Sequence, residues 1–210
     1  MAPRHTYQKY LKMLLDKLKN IPIILGSQSP RRKELLASMD IDFAVEVKPV
    51  DEKINLDLSP DDIAKNIALT KLAAFDGEKY TTKLIITSDT IVVSPTGISL
   101  GKPNDEKEAF QMIASLCGKQ HLVITGVALR YQGQDISFAE TTKVKFSDLT
   151  TDEIRYYVDI YKPYDKAGAY GIQEWIGRIG IDRLEGSFEN VMGLPTQRLY
   201  RELKKLLNSK

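Results

Sequence analysis

A chain of 210 residues, of which 42% are hydrophobic and 28% charged, has the composition of a globular protein and enough material for one domain with a sizeable core. Its net charge of +2 is too small to favour a nucleic-acid or membrane partner, so any basic function must be local. The single cysteine, Cys117, excludes an internal disulfide and indicates a reducing compartment, and the presence of only two histidines excludes a Cys/His zinc site.

The first 20 residues predict an amphipathic helical extension, followed by a single domain over residues 21–210. Six apolar side chains recur in the extension at helical spacing among lysines: Tyr7, Tyr10, Leu11, Leu14, Leu15 and Leu18. The segment lacks the apolar core of a signal peptide, and no run in the chain approaches the roughly 20 apolar residues that span a bilayer. We expect a cytoplasmic protein without membrane attachment. Its extension would pack on the domain or on a partner subunit, where it would provide a homodimer contact.

The first helix of the domain begins with charges that are unusual for a helix N-terminus. Residues 21–25 predict a buried strand, and Ser29 followed by Pro30 predicts a helix start after it. Arg31 and Arg32 occupy the first turn, where the helix dipole favours acids, and the three later helix starts do carry acids. Free backbone N–H groups beside two guanidinium groups predict an anion site suited to phosphate. The alternative is a solvated basic helix start without a ligand.

The most strand-like run of the sequence, residues 84–93, contains one acid, Asp89. An acid with apolar runs on both sides is costly to bury unless it is paired or binds a metal. The alternative places Asp89 at a strand end that faces water. The preceding helix, predicted from Ser59 to about Phe75, carries Lys71 near its C-terminal end.

The rest of the chain predicts alternating strands and helices. The further elements are strands over 43–47, 122–131 and 135–146, helices over 105–116 and 151–161, and a C-terminal helix after Pro195. A turn at 94–97 predicts a hairpin, and glycine-rich stretches cover 165–173 and 186–195. We expect an α/β fold with a mixed sheet that is partly antiparallel, because the two long strands form a hairpin.

Polar residues in unusual positions make up a candidate site for a polyanion: Arg31, Arg32, Glu34, Lys71, Asp89, Lys102, Lys166 and Gln173. The bases would neutralise phosphate charge. The acids Glu34 and Asp89 would activate water or hold Mg²⁺ or Mn²⁺, since oxygen donors are the metal ligands that remain. The amide of Gln173 offers donors and acceptors to the edge of a nucleobase. The chain has no Walker loop, so these residues by themselves predict a phosphate-handling α/β enzyme.

These residues lie in short motifs: Ser27-Gln28-Ser29-Pro30-Arg31-Arg32-x-Glu34, Ser88-Asp89-Thr90, Gly101-Lys102-Pro103, Thr125-Gly126-Val127, Asp165-Lys166-Ala167-Gly168-Ala169-Tyr170-Gly171-Ile172-Gln173 and Gly193-Leu194-Pro195. The ordered set resembles the Maf family of nucleoside triphosphate pyrophosphatases, once described as septum-formation inhibitors, from about Ile23 to the C-terminal helix. The resemblance implies a mixed sheet bent around a deep central cleft between two lobes, similar to inosine triphosphate pyrophosphatases. It also implies attack of water on the α-phosphate, which releases a monophosphate and pyrophosphate.

The resemblance also implies roles for individual residues. Asp89 matches the proton acceptor and, together with Glu34, the metal ligands. Positions linked to substrate choice are matched by Arg31, Thr90 and Gln173, and Ser29 belongs to the same substrate-binding set. The remaining bases are expected on the phosphate side of the substrate. Among them, Lys71 and Lys102 are assigned to catalysis, and Arg32 and Lys166 to substrate binding.

The motif over 165–173 resembles the branch of the family that prefers dTTP and UTP to 7-methyl-GTP. We therefore expect dTTP and UTP as substrates, with modified pyrimidine nucleotides as an extension, in a house-cleaning role for the nucleotide pool. Four residues depart from the commonest family pattern. Gly26 and Ser88 replace alanine, and Glu174 and Trp175 follow the glutamine where glycine is usual. Trp175 either alters the base pocket or is an ordinary core residue.

Two alternatives stay open at the level of the sequence. The shared fold permits a pyrophosphatase for the purine triphosphates ITP or XTP. A protein of another class, a nucleic-acid-binding or division-regulating protein, would read phosphates without cleaving them. That class calls for a broad basic face with interleaved aromatic residues, which the near-neutral charge does not favour. A nucleoside triphosphate is thus the expected partner, and nucleic acid is not.

Overall fold

The computed structural model describes residues 14–51 and 57–208. The predicted N-terminal helix therefore lies mostly outside the described residues, and its last turn is helical as α1 (Leu15–Leu18). Leu14 and Leu18 are buried in the main core, and the Lys17 ammonium donates a hydrogen bond of 3.0 Å to the carbonyl oxygen of Leu207 near the end of the chain. This end of the extension packs on the domain itself.

A mixed sheet of seven strands organises the described part of the chain. The strands are β1 (Ile23–Leu25), β2 (Ala44–Val45), β3 (Leu84–Val93), β4 (Ser99–Leu100), β5 (Gln120–Tyr131), β6 (Gln134–Phe146) and β7 (Ile181–Glu185). Their order is β2-β1-β3-β5-β6-β7, with β4 paired to the end of β3. Strand β1 runs parallel to β2 and β3, and every other pairing is antiparallel. The predicted α/β fold with a mixed, partly antiparallel sheet is confirmed.

Five of the helices in the described ranges begin at a residue whose side chain caps the first turn. The helices after α1 are α2 (Pro30–Ala37), α3 (Pro60–Ala73), α4 (Glu106–Leu116), α5 (Thr151–Tyr161), α6 (Trp175–Gly180), α7 (Phe188–Met192) and α8 (Thr196–Asn208). Ser29, Ser59 and Asp105 each accept a backbone N–H of the first turn that follows, and Thr150 forms a reciprocal capping box with Glu153. None of the helices in the described ranges is long and apolar enough to cross a membrane.

Strand β3 separates the main hydrophobic core from two smaller clusters because its side chains alternate between the faces of the sheet. Leu84 and Ile86 enter the main core, which the C-terminal helix α8 also fills. Ile85, on the opposite face, packs in a smaller cluster with Leu72 and Phe75 at the end of α3. Helix α3 therefore lies across β3 and β5, on the face opposite to the main core.

Glycine allows α3 to approach the sheet closely. Gly126 in β5 pairs with Asp89 in β3, and a Cβ at Gly126 would lie 2.1 Å from the carbonyl oxygen of Ala64 in α3. Any side chain at this position would push the helix away from the sheet. The Thr-Gly-Val motif thus has a packing reason, and it fixes the height of α3 above Asp89.

The sequence predictions fail at weakly patterned elements. The strand expected over 43–47 is only two residues long, and β7 and α6 were not predicted at all. Strand β7 has only two apolar residues among charged ones and lies at the edge of the sheet. Its strand conformation comes from pairing with β6, which no local pattern reports.

Candidate active site

A cleft of about 670 Å³ opens beside the N-terminus of α2. Nine of the ten predicted site residues line it: Ser29, Arg31, Arg32, Lys71, Asp89, Thr90, Lys102, Lys166 and Gln173. The tenth, Glu34, is exposed on α2 and does not lie among the lining residues. The structure therefore brings together residues from α2, α3, β3 and the glycine-rich stretch, but not the second predicted metal ligand.

On one side of the cleft, the partners of Arg32 within the described part of the chain are neutral oxygen acceptors. Its guanidinium donates to the carbonyl oxygen of Gly193 at 2.8 Å, to Thr90 Oγ1 at 3.0 Å and to Ser27 Oγ at 3.2 Å. Ser88, where the family pattern has alanine, donates to the same Gly193 carbonyl at 3.1 Å. These contacts tie α2, β3 and the turn after α7 into one wall, which we call the Arg32 wall.

Two further hydroxyl and backbone contacts extend the Arg32 wall. Thr90 Oγ1 lies 2.9 Å from Thr125 Oγ1, and the Thr125 hydroxyl donates to the carbonyl oxygen of Asn190 at 2.8 Å. Gly193 has a φ of +113°, and a Cβ there would lie 3.3 Å from both Arg32 Nε and Thr90 Oγ1. Glycine is needed both for this backbone conformation and for the close approach of Arg32.

Asp89 lies in the middle of β3 rather than at a water-facing strand end. Lys71 of α3 donates to Asp89 Oδ1 at 2.6 Å, and the two side chains are only 16% and 15% exposed. The two side chains thus form a close, charge-assisted hydrogen bond in a largely enclosed part of the cleft. The close packing of α3 on Gly126 is what lets Lys71 reach the carboxylate.

A second part of the cleft lining is built from ion pairs, and we call it the Arg31 wall. Arg31 donates to Asp165 at 2.9 Å, and Lys166 donates to the other oxygen of Asp165 at 2.6 Å. Burial alone would raise the pKa of Asp165, but the hydrogen bonds from Lys166 and Arg31 outweigh this effect and lower the pKa. Lys166 also lies 3.1 Å from Glu174.

The glycine-rich stretch brings its lysine beside the loop that carries Lys102. The backbone N–H of Gly168 donates to the carbonyl oxygen of Gly101 at 3.0 Å, and Gly168 takes a φ of +71° over the side chain of Val92. Lys102 is exposed and Lys166 is buried, yet both line the cleft. The cationic side chains of Lys102 and Lys166 thus line the same cleft from neighbouring loops.

Gln173 also lines the cleft, and its Oε1 atom is buried without a hydrogen-bond partner in the protein. An unsatisfied buried acceptor is costly in free energy, so a ligand with a donor group would stabilise it. Because amide oxygen and nitrogen are assigned from the hydrogen-bond pattern, this position can present either a donor or an acceptor.

The metal prediction is tested by the donor set of the cleft. Among residues 14–51 and 57–208, no three His, Cys, Asp or Glu side chains are grouped so that they could hold a metal ion. Among the residues that the structure describes, Asp89 and Asp165 are the carboxylates that line the cleft. Such a set fits Mg²⁺ or Mn²⁺ held by one protein carboxylate together with oxygens of a phosphate chain, and it does not fit a cage made of protein ligands alone.

Two of the departures from the family pattern have structural explanations. A Cβ at Gly26 would lie 2.8 Å from the Thr87 methyl and 3.0 Å from the Phe75 ring, so glycine leaves room for that ring beside the cleft. Trp175 packs edge-to-face on Tyr156 with ring centroids 4.9 Å apart and contacts the main core. It does not line the cleft, in agreement with the core interpretation.

The sequence predictions assigned no role to three residues that support the site. Ser27 and Thr125 stand in the quoted motifs, and Tyr157 in none. Their contacts appear only in three dimensions. Glu174 could have been found, since it follows the motif as an acid where the family pattern has glycine. Its contact with Lys166 gives it a place in the site.

The fold and the cleft together define an α/β protein in which several cationic side chains line a cleft beside a paired carboxylate. The family described as "Maf-like protein" matches residues 22–206, and the chain belongs to this family. The resemblance found in the sequence is thereby confirmed.

Similar proteins match almost the whole chain. The dTTP/UTP pyrophosphatase of Phocaeicola vulgatus is 50% identical over 194 residues, which cover 92% of this chain and 100% of the relative. The dTTP/UTP pyrophosphatase of Christiangramia forsetii is 46% identical over 197 residues, covering 94% and 100%. Among solved structures, the Staphylococcus aureus Ham1 protein matches with a TM-score of 0.42 and 14% identity over 60% of this chain and 72% of its own.

Proposed function

We propose that this protein hydrolyses dTTP and UTP to the monophosphate and pyrophosphate. The observation that carries the proposal is the Asp89–Lys71 pair, 2.6 Å apart, in a cleft that Arg31, Lys102 and Lys166 also line. A carboxylate that can accept a proton is thus surrounded by groups that bind a triphosphate. The names of relatives at 46–50% identity support the same reaction and substrates.

In the proposed reaction, Asp89 accepts a proton from the water molecule that attacks the α-phosphorus. Lys71 engages Oδ1 of Asp89, so we assign Oδ2 to this water. The bond between the α-phosphorus and the bridging oxygen breaks, and its electron pair leaves with pyrophosphate. Lys102, Lys166 and Arg31 stabilise the charge that develops on the leaving group.

The proposed metal is Mg²⁺ or Mn²⁺, with Asp89 as the protein ligand and phosphate oxygens of the substrate as the others. When bound, the ion neutralises charge on the phosphate chain. Glu34 as a second ligand stays a prediction that the geometry does not support, because its side chain is exposed and outside the lining of the cleft. The Mg²⁺ dependence of the activity of Glu34→Gln tests this role. If Glu34 is a ligand, the variant needs a higher Mg²⁺ concentration for half-maximal activity. An unchanged Mg²⁺ dependence shows that Glu34 is not a ligand.

We propose that Gln173 reads the base. Its buried Oε1 lacks a donor, and the N3–H group of uracil or thymine is a donor on the edge that the amide would face. Cytosine carries an acceptor at that position, which Oε1 cannot pair with unless the amide turns its nitrogen toward the base. Hypoxanthine also presents an N–H group, so the ITP alternative is decided by measurement rather than by this contact.

The test is pyrophosphate release from dTTP, UTP, dCTP, CTP, ITP and XTP in the presence of Mg²⁺. We expect the highest kcat/KM for dTTP and UTP, and we expect Asp89→Asn to lower kcat by about a thousandfold because the proton acceptor is lost. Unfolding curves of the variant control for loss of structure. Full activity of Asp89→Asn contradicts its role, preference for ITP favours the purine alternative, and DNA binding without turnover favours the nucleic-acid alternative.

The homodimer contact and the cytoplasmic location stay predictions.

A further inference from the structure

Lys166 is held between two carboxylates although it is one of the bases of the cleft. The residue is 7% exposed, and its ammonium lies 2.6 Å from Asp165 and 3.1 Å from Glu174. Asp165 is shared with Arg31 and its side chain is 55% exposed, whereas the side chain of Glu174 is 19% exposed. Glu174 is therefore the more enclosed partner of Lys166, and a partner that Arg31 does not share.

Glu174 is itself fixed by a buried tyrosine. The hydroxyl of Tyr157, on α5, donates to Glu174 Oε2, and the same hydroxyl accepts the backbone N–H of Gly171 at 3.0 Å. Burial and the contact with Glu174 raise the pKa of Tyr157, so the hydroxyl keeps its proton and remains a donor. A Cβ at Gly171 would lie 2.8 Å from the Glu174 carboxyl carbon, so the turn is built around this carboxylate.

We infer that Glu174 is a positioning residue, which holds the Lys166 ammonium and the Gly171 backbone in a fixed relation on one wall of the cleft. Glu174 does not line the cleft, so it acts through Lys166 and the turn that ends at Gln173. The inference deepens the proposed function and rests on it. The carboxylate of Glu174 would fix the position of Lys166, which binds the leaving pyrophosphate, and of the turn that carries Gln173, which binds the nucleobase. Glu174 is bonded to Lys166 and to Tyr157, whose hydroxyl binds the Gly171 backbone, and this linked set leaves Lys166 little freedom to reorient.

The first arm of the test is Glu174→Gln, which keeps the volume and an acceptor for Tyr157 but removes the charge. We expect kcat for UTP to fall about tenfold while KM changes less than about twofold, because Lys166 still attracts the triphosphate but is no longer aimed at the leaving group. Glu185→Gln is the matched control, since Glu185 is an exposed acid in β7 that pairs only with Lys143 and Arg183 among the contacts described. An unchanged kcat for Glu174→Gln overturns the inference.

A double-mutant cycle separates positioning from simple support of the fold. If Glu174 acts through Lys166, Glu174→Gln lowers kcat by less than about twofold in a Lys166→Met background. The same tenfold loss in both backgrounds shows that Glu174 acts independently of Lys166 and contradicts the inference. The cycle uses unfolding curves of all four proteins to exclude losses caused by unfolding.

The second arm does not depend on turnover. Acetylation of individual lysines by a small acylating reagent is followed by peptide mass spectrometry in the wild type and in Glu174→Gln. We expect Lys166 to react about fivefold faster in the variant, since one of its two carboxylate partners is lost, while Lys71 keeps its rate because its partner Asp89 is untouched.

The two arms also separate this inference from the proposed function. If no nucleotide releases pyrophosphate, the proposed function fails, and the acetylation rates still decide whether Glu174 holds Lys166. Equal Lys166 rates in the two proteins, or equal acceleration of Lys166 and Lys71, contradict the positioning role. Faster reaction of Lys166 alone supports it.

Discussion

Two adjacent residues, Arg31 and Arg32, belong to different walls of the cleft. Arg32 donates to a backbone carbonyl and two hydroxyl groups, which are neutral and themselves engaged in further hydrogen bonds. Arg31 donates to the carboxylate of Asp165, whose side chain is half-exposed and which also pairs with Lys166. Among the contacts of residues 14–51 and 57–208, the first wall is held by directional bonds to uncharged groups, and the second by pairs of opposite charge.

The difference separates support of the fold from binding of the ligand. A phosphate group can replace the carboxylate that faces Arg31, because both are anions that a guanidinium binds in the same manner. It cannot replace the carbonyl of Gly193, which is part of the chain. We therefore expect Arg31 to exchange partners when substrate binds and Arg32 to keep its partners throughout. The sequence prediction had placed both arginines in the substrate-binding set.

The largest effect on stability is expected for Arg32→Met. It removes three hydrogen bonds from a charged donor and leaves acceptors inside the Arg32 wall without that partner, so the free energy of unfolding should fall by about 3–4 kcal/mol. Urea unfolding of the variant and of the wild type measures the difference. Arg31→Met is the control with the same change of side chain one position earlier. Equal losses for the two variants contradict the division between the walls.

A smaller effect is expected from protonation of His121, which lies behind the Arg31 wall. His121 is buried, its Nε2 atom lies 2.7 Å from the hydroxyl of the cleft residue Tyr170, and burial lowers its pKa to about 4 from an ordinary 6.5. The unfolded chain therefore takes up a proton that the folded protein excludes. Stability should fall by about 2 kcal/mol as the pH drops from about 6.5 to about 5, before the lowered carboxyl pKa values contribute.

Unfolding curves measured across this pH range test the assignment. In His121→Gln the fall of stability between about pH 6.5 and pH 5 should be largely removed, although the variant is less stable at neutral pH. An equally steep fall in the variant would assign the pH dependence to another group.

The smallest effect on stability is expected for Arg31→Met. Its ion pair with Asp165 is partly exposed, so the free energy of unfolding should change by less than about 1 kcal/mol. The KM for UTP should nevertheless rise about tenfold, because a guanidinium that binds phosphate is lost. A large loss of stability with an unchanged KM would instead give Arg31 the same supporting role as the Arg32 wall.

Local patterns predicted much of the fold and most residues of the site. Residues 84–93 and 151–161 form a strand and a helix over the ranges expected, since apolar periodicity and a capping Thr150 act locally. Residues with unusual charge, such as Asp89 and Lys71, indicated the cleft because an isolated charge near a core needs a partner. The edge strand β7 was not predicted, because its conformation depends on pairing with β6.

The partners of the site residues were beyond the reach of the sequence. Nothing local distinguishes Arg31 from Arg32, and only the positions of Asp165 and Gly193 in space assign them to different walls. Glu34 was expected as the metal partner of Asp89 from its place in the first motif, but α2 leaves its side chain exposed. The orientation of a helix about its axis decides which of its side chains face a cleft, and motif spacing does not report that orientation.

Water attack at the α-phosphate is tested most directly by hydrolysis of UTP in ¹⁸O-labelled water. Mass spectrometry of the products should find one ¹⁸O atom in UMP and none in pyrophosphate, since the proposed attack breaks the bond between the α-phosphorus and the bridging oxygen. Label in pyrophosphate, or release of UDP and inorganic phosphate, would contradict the proposed reaction.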